Sequence, residues 1–107
     1  MRINLVIETN DLERVWNGFR FARTALEQDN EVEVFLLGDG VDAPDLAGEK
    51  INLHGMMLKY TQLGGQLAAC GTCMDSRDIE PDDLRPRSTM EELLRIVEEA
   101  DRLLTIG

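Results

Sequence analysis

The sequence predicts an α/β fold: a flavodoxin-like, doubly wound, mainly parallel sheet of four to five strands with helices on both faces. Three observations lead there. Short apolar runs alternate with amphipathic stretches, which is the pattern of βαβ units. Capping residues and glycines mark the changes between them. Right-handed crossovers then leave few strand orders open.

Residues 3–7 form an apolar run bounded by polar residues, as a strand covered on both faces would. Asn10 and Glu13 are spaced like a capping box, and Leu12, Val15, Trp16, Phe19, Ala22 and Leu26 recur at helical spacing. These predict a helix over 11–29, followed by a second strand over 31–37 that ends in Gly38-Asp39-Gly40. Residues 41–51, with Pro44, read as an irregular connection. Asn52 caps a second helix with Leu53, Met56, Met57, Tyr60 and Leu63 on its apolar stripe, closed by Gly64-Gly65. A short strand over 66–69 runs into Cys70, and residues 71–87 read as a polar loop with one helical turn at most. Ser88-Thr89-Met90-Glu91 is a capping box for a helix over 89–100, with Leu93, Leu94, Val97 and Ala100 inward. Residues 102–106 form the last strand.

This architecture has a functional consequence. Ligands of such sheets sit outside the carboxyl ends of the strands. Those ends here are Glu8-Thr9-Asn10, Gly38-Asp39-Gly40 and Cys70.

Residues 1–107 are expected to form a single domain, since separate cores need more length. The 21 acidic and 11 basic side chains leave a net charge of -10, which disfavours phosphate backbones, so no direct nucleic-acid binding is expected. Arg77, Arg85 and Arg87 form the one basic cluster, and Asp75, Asp78, Glu80, Asp82 and Asp83 largely cancel it. No apolar run approaches the ~18 residues of a membrane span. The N-terminus reads as a strand and not as a signal peptide, so the expected location is cytoplasmic, with no membrane partner.

The two cysteines, Cys70 and Cys73, are too close in sequence to constrain much of the unfolded chain. Buried small hydrophobes are the plain reading. Zinc needs four ligands, and one pair with one histidine cannot supply them within a monomer, so no metal and no cofactor are expected, a metal site shared between subunits being the weaker alternative. A thioredoxin-type dithiol would sit in the turn leading into a long helix, whereas this pair precedes a polar loop. A thiol leaving a buried strand, with Arg77 seven residues on to favour thiolate, is the reading that position supports. His54 reads as a partly buried structural residue, and Gly38-Asp39-Gly40 as turn geometry, since it lacks GxGxxG spacing. The methionine-rich second helix offers adaptable apolar surface for an oligomer.

Four stretches carry a resemblance: residues 34–41, Cys70-Gly71-Thr72-Cys73-Met74-Asp75-Ser76-Arg77, residues 88–93 and residues 100–106. In order and spacing the chain resembles the DsrE/DsrF-like (YchN-like) family of sulfur-relay proteins over nearly its whole length. The resemblance implies a flavodoxin-like fold assembling into homotrimers or homohexamers. It implies a sulfur carrier or sulfurtransferase in which Cys70 holds sulfane sulfur as a persulfide, exchanged with donor and acceptor proteins. Cys73 matches a second cysteine found in part of the family, and its role is open. The family often has glycine where this chain has Asp78. Arg77, Thr72, Asn10 and Asp39 are the expected binding residues around the thiol. The alternative is a non-enzymatic oligomer that senses redox state through a reversible Cys70–Cys73 disulfide.

Overall fold

The computed structural model of the chain describes residues 1–107. The strands are β1 (Arg2–Ile7), β2 (Glu31–Leu36), β3 (Gln66–Cys70), β4 (Arg87–Ser88) and β5 (Arg102–Ile106). The helices are α1 (Leu12–Glu27), α2 (Leu53–Gln62), α3 (Gly71–Asp75) and α4 (Met90–Glu99). The sheet runs β4-β3-β2-β1-β5 with every pair parallel, so the doubly wound α/β expectation is met with five strands. The reversal of order on either side of β1 is what winds the helices onto both faces.

Alternation along the strands assigns the faces. The δ-methyls of Ile7 and Ile106 pack closely against Gly18 of α1. Asn4, three residues before Ile7, points the other way and donates from Nδ2 to the Ile96 carbonyl of α4 at 2.7 Å. α1 and α2 therefore share one face and α4 covers the other. On the first face Phe19 and Tyr60 meet edge to face at 5.4 Å, both fully buried. The Tyr60 hydroxyl donates to the carbonyls of Gln66 and Val32, and burial pushes its phenol far up.

Several local expectations shift. The cap of α1 is Asp11 and not Asn10: the Asp11 carboxylate accepts the Arg14 N–H at 3.0 Å, while the Asn10 amide donates to Asp42. Asn52 caps α2 as expected, accepting from Gly55 N–H at 2.9 Å. The first half of the 41–51 connection is a 3-10 helix, Gly38–Asp45. The polar loop after Cys70 contains both α3 and the two-residue strand β4, which is too short to leave a period. The cap of α4 is Thr89, which accepts from Glu92 N–H, so the box sits one residue later than Ser88.

The inward face of α4 also differs. Ile96 is fully buried and Leu93 partly so, whereas Leu94 and Val97 are exposed, Leu94 at 58%. The helix carries two apolar stripes. Leu93 and Ile96 pack into the core, and Met90, Leu94 and Val97, at i, i+4 and i+7, do not. β5, the sheet edge beside β1, adds the exposed Leu103 and Leu104. Five of the exposed large apolar residues thus lie on α4 and β5. On the second helix Met57 is fully buried and Met56 partly so, and its exposed apolar residues are Leu58 and the C-cap Leu63.

Candidate functional site

The carboxyl ends of the strands meet in one region, and two glycines allow the close packing there. Gly38 holds φ at +55, the left-handed region that a side chain disfavours. A Cβ on Gly40 would collide with the Ile7 carbonyl at the end of β1. The Gly38-Asp39-Gly40 stretch is thus a turn, as its composition suggested, that feeds the 3-10 helix.

Cys70 is the last residue of β3 and the N-cap of α3, and Cys73 lies within that single turn. Both are free thiols. The expectation of a cysteine at a strand end leaving the core is met in position but not in exposure, since Cys70 is only 3% exposed. Cys73 is half-buried. The Gly38 N–H donates to Cys73 Sγ at 3.2 Å. Burial and a hydrogen bond to Cys70 push the Cys73 thiol above the ordinary thiol range, against the opposing pull of the Gly38 N–H and the Arg77 charge.

Arg77 does not stand over Cys70. It donates to the Cys73 carbonyl at 3.1 Å and to Asp39 Oδ1 at 2.8 Å, so Arg77 and Asp39 clamp the Cys73 side of the pair. Thr72 lies between the cysteines and is exposed. Asn10 shares the edge but spends its amide on Asp42. Of the expected residues, the structure brings together Cys70, Cys73, Arg77 and Asp39, with Thr72 in the same turn.

The cation beside Cys70 is Arg87. β4 pairs with β3 so that Ser88 stands opposite Cys70 and Arg87 opposite Ala69. The Arg87 guanidinium lies over Gly71, where a Cβ would press on it, donates to the Gly71 carbonyl, and forms a two-pronged pair with Asp75 at 2.7 and 2.8 Å. The Asp75 hydrogen bond and charge raise the Arg87 pKa, and an anionic Cys70 adds to that. Asp75 is correspondingly held below the usual carboxylate range, chiefly by its hydrogen bond to Arg87. Sequence reasoning had placed Arg87 in a cancelled cluster. The structure gives each member its own carboxylate: Asp39 for Arg77, Asp45 and Asp82 for Arg85, Asp75 for Arg87. The Gly38 N–H was also unforeseen. The one available signal for Arg87 was its place just before the Thr89 cap, where a returning strand would lie.

Asp78 adopts φ of +53. That is the position where the resemblance leads one to expect glycine, and aspartate is among the residues that tolerate the left-handed region. The clefts of the surface lie elsewhere, one along residues 46–54 and another lined by Pro44, His54, Leu58 and Asp83. His54 is exposed, not partly buried.

Fold and site together define a doubly wound α/β protein with a dithiol in the first turn of a helix, at the carboxyl edge of the sheet. The chain is 32% identical to an uncharacterized protein of Methanocaldococcus jannaschii over 99 residues, 87% of each chain. It is 32% identical over 101 residues to an uncharacterized protein of Methanopyrus kandleri, covering 86% of this chain and 81% of that one. Its structure is similar to the ychN protein of E. coli, with a TM-score of 0.85, 26% identity, and coverage of 99% and 100%. A conserved protein of unknown function from Bacteroides thetaiotaomicron shares the fold at a TM-score of 0.78 and 15% identity, over 98% and 94% of the chains. The model of the DsrE/DsrF-like family matches residues 1–106, and the chain belongs to that family, which is associated with sulfur relay.

Proposed function

We propose that this chain is a sulfur carrier or sulfurtransferase of a sulfur relay that holds sulfane sulfur as a persulfide on Cys70. The observation that carries the reading is the placement of Cys70 at the carboxyl end of β3, with the Arg87 cation beside it. The Cys70 thiolate attacks the outer sulfur of a donor persulfide. A Cys70 S–S bond forms, the donor S–S bond breaks, and the donor leaves as a thiolate. The acceptor thiolate repeats the step on the outer sulfur, so no net oxidation occurs. Arg87 balances the anionic forms, with Thr72 and the Arg77–Asp39 pair at the rim and Asn10 further out. The Arg87–Asp75 pair is an exposed ion pair, of the kind that holds weakly. No cleft surrounds the thiols to enclose a small molecule, which favours protein donors and acceptors.

Mass spectrometry after incubation with a persulfide donor tests this. One sulfur atom is expected on the peptide containing Cys70, and Cys70→Ser is expected to abolish the gain. A wild-type chain that gains no sulfur there ends the proposal. The assembly belongs to the same reading: a cytoplasmic homotrimer or homohexamer that covers the apolar surface of α4 and β5. A second reading, a redox-sensing oligomer, draws on the two free thiols carried by one turn. It requires a mild oxidant to close Cys70–Cys73 reversibly and change the assembly, with no sulfur loaded.

A further inference from the structure

Transfer through Cys70 alone leaves Cys73 without a task, yet its sulfur is among the most carefully held in the molecule. It lies three residues after Cys70 on one turn, where side chains of a regular helix stack with Cβ atoms about 5–6 Å apart. Cys70 is the N-cap residue of that turn and Cys73 lies within it, both as free thiols. The Gly38 N–H reaches the same sulfur at 3.2 Å from the end of the neighbouring strand, aimed by the left-handed turn at Gly38. Arg77, fixed by Asp39, sets a positive charge against the Cys73 carbonyl. A structural cysteine needs neither a donor aimed at its sulfur nor a clamped cation. These groups suit a thiol that must become an anion while in contact with Cys70.

We propose that Cys73 is the resolving thiol of this site: it attacks the Cys70 persulfide, releases hydrogen sulfide and leaves a Cys70–Cys73 disulfide. The inference rests on the reading of Cys70 as the loaded thiol. The inner sulfur is the target, because the Cys70 Sγ is fixed at the N-cap of the turn that carries Cys73 whereas the outer sulfur extends beyond it. The Cys73–Cys70 S–S bond forms and the bond from Cys70 to the outer sulfur breaks. That sulfur leaves with the electron pair and takes up the Cys73 proton. The sulfane sulfur is reduced, the two thiols are oxidised, and no further oxidant enters. Closing the bridge draws the two Cβ atoms to about 3.8 Å, and a dithiol reductant is needed to restore the pair. At rest, burial keeps Cys73 protonated, which delays the attack and gives an acceptor time to take the sulfur. Sulfur that finds no acceptor is then discharged as sulfide.

The test uses the whole reduced chain under anaerobic conditions, loaded with glutathione persulfide and freed of donor by gel filtration. Intact mass and released sulfide are followed with time. Wild type is expected to lose its added sulfur and become the internal disulfide, with one sulfide released per disulfide formed. Cys73→Ser is expected to hold the sulfur on Cys70 at least about tenfold longer and to form no internal bridge. A wild type that keeps its sulfur as long as the variant overturns the inference while leaving Cys70 as the carrier. So does sulfide loss without a disulfide, or a persulfide found on Cys73. If neither form takes up sulfur, the carrier reading fails and the resolving role with it. The disulfide-to-sulfide ratio of wild type needs no variant, so a poorly folded Cys73→Ser leaves the test decisive.

Discussion

The two edges of the sheet are finished in opposite ways. At one edge β4 is two residues long, follows Pro86 and carries Arg87, three features that blunt an edge strand. Around it each arginine has its carboxylate, and the Cys73 sulfur accepts the Gly38 N–H. At the other edge β5 runs for five residues, with Leu103 42% and Leu104 39% exposed. Register with Asn4 puts Leu103 on the α4 face, beside a helix whose second apolar stripe is uncovered. One edge is a completed polar site, and the other is an apolar surface of the sort that needs covering. The contrast separates the edge that holds the proposed sulfur chemistry from the edge where the proposed assembly would form.

The largest expected effect breaks that contrast at the apolar edge. Leu94→Asp with Leu103→Asp should reduce the proposed assembly to a monomer of 12.1 kDa in size exclusion with light scattering. Sulfur loading should persist in that monomer, because Cys70, Arg87, Cys73 and Gly38 all come from one chain. An assembly that survives both charges moves the interface elsewhere.

Next is the tie that holds α4 to the sheet. Asn4 is fully buried, donating to the Ile96 carbonyl and accepting the Glu33 N–H at 3.0 Å. Asn4→Ala leaves both partners unsatisfied and should cost about 3 kcal/mol in denaturant unfolding. A loss below about 1 kcal/mol would show that Ile96 packing and the Arg95–Glu33 ion pair hold α4 unaided.

At the polar edge, Arg87→Gln should slow the loading of Cys70 by about three- to tenfold without changing the mass of the assembly. An equal rate would remove Arg87 from the site and return the question to Arg77.

The smallest effect is a pH profile. Burial and Cys70 hold the Cys73 proton more tightly in the folded chain than in the unfolded one. The stability this contributes is complete below the ordinary thiol value and is lost as pH rises through the higher folded value. Alkylation of Cys73 should therefore reach its half-maximal rate above the pH of about 8.5 typical of a free thiol. Coincidence with a free thiol would mean that the contact with Cys70 does not restrain it.

By itself the sequence determined the winding of the chain. Its apolar runs and caps are local signals, so β1, β2, β3 and β5, the Asn52 cap and the bounds of α1, α2 and α4 could be read within a residue or two of their places. The turn at Gly38 and the position of Cys70 at a strand end were equally legible, because glycine and the end of an apolar run act locally. Only the tertiary structure decided which groups face which thiol. Arg77 and Arg87 are both near Cys70 in sequence, but one helical turn carries Arg77 to the Cys73 side, while a strand of two residues returns Arg87 to Cys70. The same holds for α4. Its apolar residues span more of the helix than one sheet face covers, and packing alone chose Ile96 over Leu94. Pairings between distant segments leave no period in the sequence, since they depend on register and direction that exist only once the sheet has formed.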